Sequence, residues 1–300
     1  MRQRSLNRFI FIGFALVLSA CGGTQPKPAP QGPSGDADAL ATEALAVYRL
    51  QRDGARTWAL ISRATQQAPQ RADLAFLQAR LCALIEGCQP EPYEARVRQL
   101  DPSNGVIWMR ALTQAQRQRD TLVEAQIVEA IGRAERFDVY WNVLGAAVGK
   151  ARMAGGARPD TALNEAVAWL GGTIVPELPP LTIACSRTRT TEQAWADRCR
   201  RLSRVLMNGD TYVVESIGSK LAQQVAGQTA EQIELNGRDK TSRYLWRTYA
   251  AIASSQIERD KFAQEILELM SKLRREQDVH LAVARWARRP VTPPPDWIDE

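Results

Sequence analysis

Two prolines 33 residues apart constrain this chain more than any other feature. Pro69 lies in Gln67-Ala68-Pro69-Gln70 and Pro102 in Leu100-Asp101-Pro102-Ser103-Asn104. Trp108 and Trp141 repeat the same step of 33. Between these points the apolar residues fall at helical spacing, as in Ala41, Leu45 and Tyr48, or Trp58, Ile61 and Ala64. Further breaks stand at Asp53-Gly54, from Gly87 to Pro92, and from Asp101 to Gly105. Proline cannot continue a helix, so helical segments interrupted at a fixed step predict stacked helical hairpins. Each hairpin buries its apolar faces against its neighbours, which builds a curved solenoid. The predicted fold class is all-α.

The segment Arg98 to Trp108 resembles the junction between tetratricopeptide repeats. A helix ends in Leu100-Asp101-Pro102, and the next starts after Asn104 with an aromatic one turn in. The family's period is about 34 residues. The resemblance covers roughly residues 38–154, with units 68–100, 101–134 and 135 onward, and a degenerate one before Ala68. The first repeat helix lacks the family's usual Gly and Tyr, and the third junction lacks Pro. The resemblance implies a concave groove lined by the first helix of each hairpin, here about 73–85, 106–118 and 138–150. Arg80, Arg110, Gln114 and Lys150 are the polar side chains expected to be exposed there for a partner.

The repeat region is expected to span 37–155, ending at Met153-Ala154-Gly155-Gly156 before Pro159. A second all-α region spans 156–289. A short helix capped by Asp160 opens it. Residues 171–190, with Gly171-Gly172 and Pro176, Pro179 and Pro180, read as a long ordered loop with room for one short strand. Helices then follow over 191–207, 211–228, 240–255, 261–275 and 276–289, with turns at Asn208-Gly209-Asp210 and Asn236-Gly237. Residues 290–300 form an extended tail, either docked by Trp297 or free.

Arg2, Arg4 and Arg8 precede a short apolar run from Phe9 to Leu18, the layout of a secretory signal over residues 1–20. The run is shorter than the roughly 20 residues of a membrane-spanning helix. Leu18-Ser19-Ala20-Cys21 resembles the lipobox of bacterial lipoproteins at all four positions. That resemblance implies a diacylglyceryl thioether on Cys21, cleavage before it, and a membrane anchor. Residues 21–36, rich in Pro and Gly, read as a tether. Gly22 rather than Asp after Cys21 favours the outer membrane, by resemblance to enterobacterial sorting.

Once Cys21 is lipidated, Cys82, Cys88, Cys185 and Cys199 remain, and four cysteines allow three pairings. An exported chain permits disulfides. The local pairs Cys82–Cys88 and Cys185–Cys199 are favoured. The first requires a helix to stop near Gly87, because six residues of helix hold two Cα atoms about 9 Å apart. The separations lack the short Cys-x-x-Cys knuckles of structural zinc.

The composition, 45% hydrophobic and 24% charged, is that of a folded protein. A single His argues against His-based catalysis and multi-His metal sites, and no cofactor motif or nucleophile elbow is present. Losing three arginines with the signal lowers the formal charge from +6 to +3, which gives little reason to invoke nucleic acid. Ser216 and Lys220 share a helix face without further catalytic context, and Glu265 and Glu268 read as solvated. His280 reads as a satisfied helical histidine. Trp58, Trp108, Trp141 and Trp169 are expected mostly between helices, with one or two lining the groove. Arg187, Arg189, Arg198, Arg200, Arg201 and Arg204 form a cationic stretch opposed only by Glu192 and Asp197, a solvated face or a surface for anions. These features predict a membrane-anchored, periplasm-facing scaffold that binds an envelope protein or peptide and is not an enzyme. The rival reading is an envelope enzyme such as a peptidoglycan hydrolase.

Overall fold

The computed structural model describes residues 34–226 and 229–298. The signal at 1–20, Cys21 and most of the tether lie outside the described residues. Among the described residues there are fourteen α-helices and no strand. The first four pairs are α1 (Ser34–Ala46, prolonged by a π turn, Val47–Gln51) with α2 (Gly54–Gln67), α3 (Ala72–Leu84) with α4 (Glu91–Leu100), α5 (Met109–Gln118, entered through a 3-10 turn, Gly105–Trp108) with α6 (Thr121–Gly132), and α7 (Trp141–Ala154) with α8 (Pro159–Gly171). The tether therefore gives way to helix at Ser34, three residues before its expected end.

Local chemistry places these boundaries. Asp53, Asn104 and Asp120 accept the backbone N–H of Arg56, Val106 and Val123, capping α2, the 3-10 turn and α6. Helix α3 stops at Leu84, and Gly87, in the left-handed region, reverses the chain. Cys88 returns to Cys82 with a Cα–Cα distance of 5.3 Å, closing the first disulfide.

Residues 31 and 34 apart in sequence meet in space. Gly105 donates its N–H to the Arg136 carbonyl at 2.8 Å, and the Asn104 side chain exchanges two hydrogen bonds with the Asp138 backbone, each 2.9 Å. The packing also reaches beyond nearest neighbours, since α1 lies against α7. One buried apolar cluster runs without interruption from Ala37 to Val225.

Residues 171–190 depart from the expected loop. Pro179 opens a short helix, α9 (Pro179–Ala184), because its fixed φ suits the first helical turn. Ile174, Leu181 and Ala184 are fully buried, so this strap is part of the core. Cys185, at the end of α9, is bonded to Cys199 in α10 (Gln193–Met207).

The remaining helices are α11 (Tyr212–Val225), α12 (Thr229–Ser255), α13 (Arg259–Lys272) and α14 (Glu276–Trp286). The expected turn at Asn236-Gly237 is instead inside α12. Leu235 is buried against Met207 and Ala222, and Arg238 bonds both the Met207 carbonyl and Glu215. Packing on both sides holds the helix through a glycine that costs about 1 kcal/mol relative to alanine. Gly149 permits the approach of α13 to α7; a Cβ there would lie 2.3 Å from Leu267. In the tail, Trp297 packs edge-on to Tyr244 at 5.5 Å.

Candidate functional site

The strap crosses the face of α3 and α5 and leaves a cleft of about 250 Å³ beside Pro176 and Glu177. Helix α3 contributes Arg80, Ala83 and Leu84; α5 contributes Met109, Arg110, Thr113 and Arg117. Arg80 donates from Nε to the Thr173 carbonyl at 3.3 Å and from Nη2 to the Val175 carbonyl at 3.2 Å. Burial pushes this guanidinium below its ordinary pKa, against the opposing pull of Glu177 and Glu94. Arg110 lies differently. Its Nε and Nη2 grip Glu94 at 2.6 and 3.0 Å, and its Nη1 meets Glu91 at 2.9 Å. The hydrogen bond to Glu94 raises its pKa, so it is fully engaged within the protein. Arg117 is exposed and holds Glu177 only at 4.0 Å.

Of the four residues expected along the groove, Arg80 and Arg110 share this cleft. Gln114 is exposed on α5 but does not line it. Lys150 pairs at 3.1 Å with Glu268 of α13. Arg80 was expected to be exposed and is largely buried, because the strap from 93 residues further on covers it. Trp58, Trp108, Trp141 and Trp169 stay out of the cleft. Trp58 packs edge-on to Tyr93 at 4.8 Å, while Arg98 and Arg152 lie over Trp108 and Trp169.

The arginine stretch on and before α10 is mostly paired. Arg189 meets the buried Glu124 of α6 at 2.5 Å, and Arg201 meets Glu129 of α6 at 2.5 Å. Arg198 approaches Glu129 at 3.8 Å, and Arg200 binds Asp197 at 2.6 Å. Arg189 and Arg198 both lie over the Trp195 ring. Only Arg187 and Arg204 stand exposed without an acidic partner among the described residues. The stretch fastens α10 to α6.

A polar network that sequence reasoning missed joins the turns between helices. Arg136 binds Asp101 at 2.5 Å and Asp138 at 3.2 Å, Tyr140 donates to Asp101 at 2.5 Å, and Arg274 also pairs with Asp138. Asp210, from the turn before α11, accepts the backbone N–H groups of Val139 and Trp141 at 3.0 and 2.9 Å, at the start of α7. Burial, then the nearby Asp138 charge, pushes its carboxyl up to about 7. The signal available in the sequence was an acidic residue in each of three turns, Asp101, Asp138 and Asp210.

Ser216 and Lys220 line a cleft between α11 and α12 with no hydrogen bond joining them. His280 is buried, stacked on Tyr249 at 3.8 Å, and desolvation pushes its pKa down to about 3. The imidazole was expected to be satisfied, but its Nδ1 is buried with no hydrogen-bond partner among the described residues, because ring packing rather than polar contact holds it. Among the described residues, no three His, Cys, Asp or Glu side chains are grouped so as to hold a metal ion. The chain matches no protein-family model, no curated protein and no solved structure.

Proposed function

We propose that this chain is a membrane-anchored, periplasm-facing scaffold lipoprotein that binds a protein or peptide of the cell envelope and holds it through its α3–α5 side. In this reading its first eight helices are a tetratricopeptide-like solenoid, closed on one face by the strap. The observation that carries the proposal is Leu18-Ser19-Ala20-Cys21 followed by a Pro/Gly-rich segment. Two local disulfides support export, since such bonds persist in oxidising compartments. The outer membrane is the proposed location, the partner is not a nucleic acid, and the role is adaptor rather than enzyme. The α3–α5 cleft supports the binding role because it is concave, polar at its rim and next to a rigid core.

Cell fractionation tests the anchor. Cys21→Ser is expected to leave the membrane fraction or accumulate as an unprocessed precursor. Normal processing and membrane retention of the variant would rule the lipid anchor out.

A further inference from the structure

Most partly buried arginines in this protein meet carboxylates; Arg49 and Arg98 do not, the first bonding the Gly172 carbonyl and the second lying over the Trp108 ring. Arg71 meets Asp38 at 3.0 Å and Asp73 at 2.5 Å; Arg136 meets Asp101 and Asp138; Arg275, with a fifth of its side chain exposed, meets Glu215 at 3.2 Å. This is the expected pattern, because a buried charge is costly unless it is paired. Arg80 breaks it. Two of its three nitrogens bond carbonyl groups of the strap, and no carboxylate comes within ion-pair distance. Glu94, the nearest candidate on α4, is already held by Arg110. The remaining nitrogen, Nη1, has no hydrogen-bond partner among the described residues and is not enclosed by protein, while the residue lines the cleft.

The lining of the cleft limits which anion could meet Arg80 there. Its walls near Arg80 are the apolar side chains of Ala83, Met109 and Pro176, and Arg117 stands at its rim. A volume of about 250 Å³ suits a fragment rather than a large ligand. Glu94 and Glu177 flank the site and disfavour a multiply charged phosphate. A planar monoanion matches one edge of a guanidinium.

We propose that the α3–α5 cleft binds a carboxylate on a short aliphatic stem, with Arg80 Nη1 and Arg117 on the carboxylate and Ala83, Met109 and Pro176 against the stem. The carboxylate belongs either to a free small acid or to the end of a peptide chain. The inference deepens the binding role proposed above and rests on the same cleft, though not on the lipid anchor.

Isothermal titration of the full-length protein with three probes tests it: isovalerate, the tripeptide Ala-Ala-Val as free acid, and the same tripeptide as its amide. Both acids are expected to bind saturably and the amide at least about tenfold more weakly, a difference set by one charge-assisted contact. Isovalerate as tight as the tripeptide acid identifies a free small acid; a tripeptide acid about tenfold tighter identifies a chain end. Arg80→Gln and Arg117→Gln should each weaken the acids several-fold. Equal binding of acid and amide, or no acid binding at about 10 mM, the range of the weakest specific ligands, overturns the proposal. So does undiminished acid binding by Arg80→Gln with an unchanged melting temperature. Should Arg80→Gln unfold, the acid-to-amide ratio in the wild type and the Arg117→Gln titration decide. Capture of an envelope partner by a wild-type protein that binds neither acid would defeat this inference alone and leave the binding role standing. Loss of membrane attachment would defeat only the anchor.

Discussion

The α6–α10 seam and the α3–α5 cleft are both built on arginine, and they behave in opposite ways. The seam belongs to a stretch of six arginines between Arg187 and Arg204, yet Glu124, Glu129 and Asp197 take up four of them. In the cleft, Arg110 is held by Glu94 and Arg117 stands 4.0 Å from Glu177, while Arg80 has no carboxylate within ion-pair distance. The number of charges in a segment therefore says little about the charge left for a partner. What matters is which acids the fold brings opposite them, and at what burial.

The largest effect should come from the buried acid of the seam. Glu124→Ala removes the partner of Arg189 and the acceptor of the Gln116 side chain at 2.7 Å. Denaturant unfolding should show a loss of about 3 kcal/mol, the low end for a broken buried pair, because Arg189 keeps about a third of its side chain in water. A loss well under 1 kcal/mol would mean that the seam is not fastened as described.

The exposed part of the seam should respond less. A double-mutant cycle on Glu129 and Arg201 should give a coupling of about 0.5–1 kcal/mol. The Arg201 hydrogen bond lowers the Glu129 pKa below its ordinary 4.5. A depressed carboxylate pKa contributes stability that is present above pH 4.5 and is lost as pH falls through the lowered value. The coupling should therefore fade on acidification, measured by repeating the cycle at low pH. Coupling that grows there would reverse the sign of the account.

Arg80→Met sharpens the comparison from the other side. It loses two hydrogen bonds to the strap but also removes an unpaired buried charge, so the net change should stay within about 1 kcal/mol. Hydrogen exchange of the amides around residues 173–175 should nevertheless rise, since Arg80 holds their carbonyls. Smallest of all, Arg187→Gln with Arg204→Gln should move stability by no more than about 0.5 kcal/mol, as for ordinary surface changes.

The helix boundaries at Asp53 and Asn104 were legible because these residues cap with their own side chains, a chemistry that acts within three residues. The two disulfides were legible for the same local reason. Asn236-Gly237 misled, because a turn signal gives way when the flanking Leu235 and Arg238 are packed against another helix. The strap misled twice. Its prolines suggested a loop where Pro179 starts a helix, and nothing near Arg80 in sequence announces that Thr173 and Val175 will cover it. The junction network was hidden likewise, since Asp210 and Trp141 meet only after folding.

Site-directed photocrosslinking in the organism's own membranes tests the contrast most directly. A photoreactive side chain replaces Arg117 at the cleft rim in one variant and Arg204 on α10 in another. The account predicts a discrete adduct with an envelope partner from position 117, competed by the acid tripeptide and not by its amide, and none from position 204. Adducts from 204 with none from 117 would contradict it and make the α10 face the contact surface.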